Sequence, residues 1–407
     1  MHRRRHTLGT LIELRAATPT PVHGFLAIDT FVGGAAHGGL RIADDVSADL
    51  LKDAARTMTL KYGFAHLPVG GAKAAIHAPL DVDREERHAL LRSFGIALRP
   101  YLEQKVYVPG EDMGSSAEDI EIVMAAAGLK RLPRSLMRAA SGYFTGIGVC
   151  ASTLAAAAHF GLQPADLRVV VEGFGAVGVS AASALYEHGA RVVAISTTQG
   201  GLHNPKGLDI PRLIQERQRH GNEVVNREGF GDFVARQTLS SIDCNVFVPC
   251  AIMHSINMQR VPGFKAQLLV PGANVPCTAD AERVLVERGV TVLPDFVANC
   301  GGVLGSSISR AGINREAVAP LVAQRLESEV AQLLQRVRES NLALRETATT
   351  LAMGRFEAAK ASYERPSLPG RVFRFGVELH RRGLIPQPLM APAARWYFGR
   401  RWTDQGR

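Results

Sequence analysis

Lys61 and Lys73 bracket the apolar segment KYGFAHLPVGGAK, an unusual setting for two ammonium groups. A lysine withdrawn from water loses part of its preference for the charged form and becomes usable as a base near neutral pH. A second lysine that keeps its charge can hold a carboxylate. Gly70 and Gly71, just before Lys73, offer room for a substrate to approach the backbone. Taken alone, the segment reads more readily as two lysines that snorkel from a helix–loop surface.

A second stretch with chemical content is GFGAVG, formed by Gly173, Phe174, Gly175, Ala176, Val177 and Gly178. It follows the apolar run RVVVE and opens a small-residue, helix-compatible segment. In that setting the first glycine makes a tight turn and the second lets backbone approach a pyrophosphate. The third allows close helix–strand packing, and the helix N-terminus attracts the phosphates. The next strand ends in AISTTQGG, with Ser196, Thr197 and Thr198 where an NAD-selective site offers a carboxylate to the ribose. No acid is there to repel a 2′-phosphate and no nearby arginine attracts one, so both NAD and NADP remain admissible.

The elements that must carry these residues form an α/β protein of two domains. Alternating short apolar strands and helices (RVVVE, ARVVAIS, CNVFVPCA, AQLLVPGAN, VTVLPDFVAN) predict a Rossmann-type, doubly wound dinucleotide-binding domain over 145–314. Its ligands should collect at the carboxyl ends of the strands. Residues 1–144 mix apolar runs with helical patterns such as DREERHALLRSFGIALRPYL and predict a separate α/β substrate-binding and oligomerisation domain. Long amphipathic helices over about 315–364 are expected to return to that first domain. A Pro/Gly break then leads into a basic, aromatic tail at 365–407.

The bulk composition is that of an ordinary globular chain, with 46% apolar and 21% charged residues over 407 positions. No apolar run is long enough to span a membrane, and the MHRRRHTLGT start lacks the apolar core of a secretory signal. The net charge of +9 sits at the ends: arginines 3–5 carry part of it, and 365–407 hold nine arginines, no lysine and two acids. A near-neutral body argues against a nucleic-acid-binding surface. Five cysteines, none in CxxC spacing, read as reduced core thiols of a cytoplasmic protein. No metal is expected.

Seven motifs occur in order: HGGLRI (37–42), MTLKYGFAHLPVGGAK (58–73), VPGEDMGSSAEDI (108–120), TGIGV (145–149), GFGAVG (173–178), VPGANVPCT (270–278) and LPDFVANCGGV (293–303). Together they resemble the glutamate/leucine/phenylalanine/valine dehydrogenase family, over roughly residues 25–310. The resemblance implies NAD(P)-dependent oxidative deamination of an L-amino acid to a 2-oxo acid and ammonia, or the reverse, by a homo-oligomer such as a hexamer. It implies that Lys61 binds the substrate α-carboxylate, helped by backbone at Gly38 and Gly39. Lys73 becomes the low-pKa lysine that activates water, and Asp112 the acid that exchanges protons with the amino nitrogen. Around the nicotinamide it places Thr145, Asn274 and Asn299, with Ala251 nearby, and it sets Thr197 where an aspartate often faces the adenosine ribose.

The residues make chemical sense without the resemblance. Loss of hydride from Cα gives an iminium that water must attack, which requires a carboxylate anchor, a neutral amine base and a second proton carrier. Two lysines and an aspartate from one domain, with a dinucleotide from the other, supply them. Other readings of single residues stand beside this one. Asp112 fits an N-cap for a helix starting near SSAEDI, Cys300 a nucleophile lacking a partner base, and His66 a packed or exposed loop residue.

The side-chain pocket departs from the pattern. Glutamate-specific relatives carry a lysine where this chain has His37, whereas Ser306 matches the serine that glutamate enzymes use for the same carboxylate. Glutamate is the leading substrate, and a branched-chain or aromatic amino acid is the alternative. A non-catalytic nucleotide or amino-acid sensor is the alternative of another class; retention of Lys61, Lys73 and Asp112 argues against it. The tail has three readings: an arm across subunits, a solvated tail, or a patch for anionic partners.

Overall fold

A computed structural model describes residues 9–17, 20–79, 81–129, 141–340, 342–381 and 383–403. Arginines 3–5 and the last four residues of the tail lie outside the described residues. The chain divides into two compact units, Met1–Ala139 with Leu351–Arg374, and Ala140–Thr350 with Phe375–Arg407.

The first unit is built on a five-stranded mixed sheet. Its elements run β1 (Thr10–Ala16), β2 (Val22–Ile28), β3 (Ala36–Ala43), α1 (Ala48–Phe64), β4 (Gly70–His77), α2 (Arg84–Glu103), β5 (Tyr107–Glu111) and α3 (Ala117–Ala126). Strand order is β1-β2-β4-β3-β5, antiparallel for β1–β2 and β2–β4 and parallel for β4–β3 and β3–β5. Helices cover both faces. Ala72, Ala74 and Ile76 of β4 join Leu40 and Ile42 of β3 in a core with Leu91, Phe94 and Leu98 of α2. The alternate β4 residue Ala75 packs with Leu51 and Ala55 of α1. Lys73 belongs to that α1 side by the two-residue period of the strand. The helices start where their caps dictate: Ser47 accepts from the Leu50 N–H, Asp83 from Glu86, and Ser116 forms a reciprocal capping box with Asp119.

The second unit holds α4 (Ser141–His159), β6 (Arg168–Glu172), α5 (Ala176–Glu187), β7 (Arg191–Thr197), β8 (Gly200–His203), α6 (Ile210–His220), β9 (Asp232–Val234), β10 (Val246–Pro249), β11 (Leu268–Leu269), α7 (Ala279–Glu287), β12 (Thr291–Val292), α8 (Asp295–Ala298), α9 (Gly301–Arg310) and α10 (Arg315–Ser340). Its sheet order is β12-β11-β10-β6-β7-β8-β9, parallel from β12 to β7, with β8 and β9 added antiparallel at one edge. The strand order reverses between β6 and β10, the switch point at which a doubly wound sheet opens its ligand crevice.

Two expected boundaries move. The division expected at 144/145 falls inside α4, which belongs whole to the second unit. The helices at 315–364 do not return together to the first unit. α10 buries Val318, Val322, Leu326, Val330 and Leu333 in the second unit, where Gly148 of α4 leaves room for Leu326. Only α11 (Leu344–Glu364) carries the chain back, from Leu351 onward. Gly63 of α1 permits that approach, because a Cβ there would sit 2.2 Å from the Ala352 carbonyl oxygen. The apolar period of these helices shows that one face is buried, but not against which partner.

The tail forms α12 (Leu368–Arg381) and α13 (Gln387–Thr403). Met390, Ala394 and Phe398 recur every four residues on the buried side of α13. No helix among the described residues is long and apolar enough to cross a membrane.

Candidate active site

In the first unit, the parallel strands β4, β3 and β5 bring one carboxylate between two cations. Asp112 follows the end of β5, in a turn fixed by Ser115: the Asp112 N–H donates to the Ser115 Oγ (3.0 Å), which donates to the Leu40 carbonyl on β3 (2.6 Å). The helix cap in SSAEDI is therefore Ser116, and Asp112 is left to point at its neighbours. Its Oδ2 lies 2.8 Å from Lys73 Nζ and 3.2 Å from Arg41 Nε. The Lys73 side chain is 3% exposed and those of Asp112 and Arg41 are 11%.

The charges set each other's protonation. Burial lowers the Lys73 pKa, Asp112 opposes that shift, and the Arg41 charge adds to it. Burial alone would raise the Asp112 carboxyl, but Lys73 and Arg41 override it and hold the group below its usual range. The result is an ionised carboxylate beside a lysine that gives up its proton unusually easily.

Glycines shape this ground. A Cβ at Gly38 would lie 1.6 Å from the Ala72 carbonyl oxygen, and one at Gly39 would lie 2.7 Å from Asp112 Cβ. The Gly38 carbonyl accepts a 2.9 Å bond from the buried Tyr107 hydroxyl, whose pKa burial raises well above its ordinary value, so it stays a donor. Gly70 and Gly71 do not provide substrate room as expected. The space a side chain would take there is filled by the Thr30 carbonyl and by Thr59 of α1, and the Gly71 N–H donates to Thr30 Oγ1. Lys61 is buried in the last turn of α1, and His37 is half-buried on β3 between Gly71 of β4 and Val108 of β5. His66, between the two lysines in sequence, is buried in a turn with φ of +56°.

In the second unit, the GFGAVG turn divides its glycine roles. Gly173 adopts φ of +91° and lies against Ala251, whose backbone would be 2.8 Å from a Cβ at 173. Gly175 is the N-cap of α5 and faces open space. Gly178 packs on Gly173 so closely that a Cβ would meet its carbonyl oxygen at 1.9 Å. Phe174 is buried, and Ala176 and Val177 form the first turn of α5. A glycine-lined helix N-terminus open at the second position fits a dinucleotide pyrophosphate. The Thr197 hydroxyl donates to the Asn222 carbonyl at 2.7 Å and accepts from the Gln199 N–H, leaving an uncharged strand end.

The residues that the resemblance sets around a nicotinamide lie in the same unit. Asn299 Nδ2 donates to the Ala273 carbonyl (3.0 Å) and to Asn274 Oδ1 (3.2 Å), while its buried Oδ1 has no partner among the described residues. An orphaned acceptor of this kind fits the amide of a carboxamide group. Val275, a β-branched residue, is held at φ of +44° by the Asp295 carboxylate, which accepts its N–H at 3.0 Å. Thr145 donates to the Ser141 carbonyl at 2.7 Å and packs on Gly302, and Ser306 is buried on α9.

Three residues that position these groups were not singled out in the sequence: Arg41, Tyr107 and Asp295. Arg41 lies within HGGLRI, and the period of a strand already puts it on the face of His37 and Gly39. Asp295 was visible as an acid within an apolar run. Burial pushes the Cys150, Cys244 and Cys277 thiols up to about 12, and it raises the Cys250 thiol as well.

A glycine turn of the dinucleotide-binding form in one unit and a buried lysine–aspartate pair in the other fit a two-domain nicotinamide-dependent dehydrogenase. Residues 139–363 match the family described as Glutamate/Leucine/Phenylalanine/Valine dehydrogenase, and residues 11–128 match its dimerisation domain. The chain belongs to this family and is an amino-acid dehydrogenase that uses NAD or NADP. It is 31% identical to glutamate dehydrogenase B of Halobacterium salinarum, over 86% of this chain and 85% of that one. It is equally identical to the NADP-specific glutamate dehydrogenase of Saccharolobus shibatae, over 67% of this chain and 66% of the relative. The NAD-specific enzyme of Staphylococcus aureus is again 31% identical, over 69% and 70%. The fold is that of the hetero-hexameric glutamate dehydrogenase of Thermus thermophilus, with a TM-score of 0.73 at 24% identity, covering 87% of this chain and 89% of that one.

Proposed function

We propose that the substrate is L-glutamate, deaminated to 2-oxoglutarate and ammonia or formed from them, with the chemistry carried by Lys73 and Asp112. The observation that carries this reading is the buried Lys73–Asp112–Arg41 cluster beside the Gly38–Gly39 backbone. Lys61 anchors the α-carboxylate as a charged partner, with Gly38 and Gly39 presenting backbone to it. The dinucleotide, when bound, supplies the hydride acceptor. Gly173 to Gly178 hold its pyrophosphate, Thr197 lies at its adenosine ribose, and Thr145, Ala251, Asn274 and Asn299 surround its nicotinamide. Once Cα has lost hydride, Lys73 takes a proton from the water that attacks the iminium carbon. Asp112 exchanges protons with the nitrogen, which leaves as ammonia when the C–N bond breaks.

Glutamate is favoured by the activity named for the three relatives and by Ser306. His37, in place of the lysine that pairs with the substrate side chain, favours the second reading, a branched-chain or aromatic amino acid. The protein acts as a cytoplasmic homo-oligomer in this reading, without nucleic-acid or membrane partners. Leu368, Val372 and Phe375 form an exposed apolar stripe on α12, which supports cover by another subunit. Reductive amination of a panel of 2-oxo acids with ammonia, run with NADH and with NADPH, tests the assignment. 2-Oxoglutarate should give the highest kcat/KM, and His37→Lys should raise it further. A panel without turnover in a cofactor-binding preparation overturns the reading.

A further inference from the structure

Arg41 moves no proton in the proposed reaction, yet it shares the carboxylate oxygen on which that reaction depends. Lys73 and Arg41 both bond to Asp112 Oδ2, from different strands, and all three side chains are nearly withdrawn from water. Such a two-cation, one-anion cluster has a consequence for proton transfer. In a buried pair of one lysine and one carboxylate, deprotonating the lysine strands the carboxylate as an uncompensated charge in a poorly polarisable interior. A permanent guanidinium on the same oxygen removes that penalty. The charge of Asp112 stays compensated whether or not Lys73 holds its proton. Arg41 also fixes the carboxylate rotamer, because Nε approaches from β3 while Lys73 reaches it from β4.

The geometry points to Arg41 as a positioning residue for the deamination, one that holds Asp112 in place and keeps its charge compensated so that Lys73 can release its proton without stranding the carboxylate. This inference rests on the assignment of Lys73 as the base that activates water. The direction of the Lys73 shift agrees, since the Arg41 charge favours the neutral lysine. Other titratable groups on the elements around the cluster are His37 on β3, Tyr107 and Glu111 on β5 beside β3, and Lys61 and Tyr62 on α1. β2 sets the uncharged Ala27 opposite Lys73. All of these are unchanged when only residue 41 is replaced.

The test compares wild type, Arg41→Gln and Arg41→Lys with two readouts. The first is the pH profile of kcat/KM for deamination, whose acid limb follows deprotonation of the base. The second is the pH dependence of Lys73 carbamylation by cyanate, followed on the Lys73 peptide by mass spectrometry, which reads the neutral amine without turnover. Arg41→Gln should move both limbs to higher pH by about one unit or more. Arg41→Lys, which keeps the cation but not the planar fork, should restore the limb positions while leaving kcat reduced. A folded Arg41→Gln enzyme with both limbs at their wild-type pH and only a lower kcat overturns the proposal, because a merely structural role predicts that result. If the carbamylation limb moves but wild type turns over no amino acid, the cluster electrostatics stand and the reaction assignment falls instead.

Discussion

The first unit makes its site from charge, and the second makes its site from missing side chains. Around Lys73, one carboxylate and two cations are held within bonding distance and nearly dry. Around α5, three glycines give a turn, an opening and a close packing, and the end of β7 offers only neutral hydroxyls. The two designs fail differently. A charge cluster is sensitive to the loss of any one partner, since the others remain buried and uncompensated. A backbone site is sensitive to the addition of atoms. Most single changes in one unit should therefore leave the other unit's ligand untouched.

The widest separation is expected for Asp112→Asn. It keeps shape but cannot carry the proton, and should lower kcat by about 10²- to 10⁴-fold while cofactor affinity stays within a few-fold. In the second unit the glycines can be set against each other. Gly178→Ala forces a Cβ into the Gly173 carbonyl and should cost about 1–3 kcal/mol of stability, read from the urea midpoint. Gly175→Ala meets open space in the protein and should leave that midpoint nearly unchanged. If the proposed pyrophosphate site is right, it should still weaken NAD(P) binding by about tenfold, or 1.4 kcal/mol, by filling that open space. Equal loss of stability in both would contradict the division of glycine roles. Smaller still, Lys61→Ala should chiefly raise KM for the amino acid. An unchanged KM with lower kcat would move Lys61 from anchor to chemistry.

The same contrast explains what the chain discloses before it is folded. The glycine turn is legible because its parts are contiguous: RVVVE, GFGAVG and the following small residues become β6, the turn and α5 with little displacement. The charge cluster is assembled from residues 41, 73 and 112, joined by parallel register across three strands. The lysines and Asp112 stand out by type. Arg41 does not, because an arginine in a strand has an ordinary surface reading until Asp112 is placed beside it. Gly70 and Gly71 illustrate the converse. Glycine signals that backbone or side chain comes close, and here the close partners are Thr30 and Thr59 of the fold itself. The pairing of α10 with α4 was likewise hidden, since amphipathic spacing names a buried face without naming its cover.

The division of labour between the units is tested most directly in Lys73→Ala, by measuring NADH affinity from fluorescence alongside deamination rate in one preparation. The account predicts turnover reduced by at least about 10²-fold with NADH affinity within a few-fold of wild type. Loss of NADH binding together with turnover, or turnover that survives without Lys73, would contradict it.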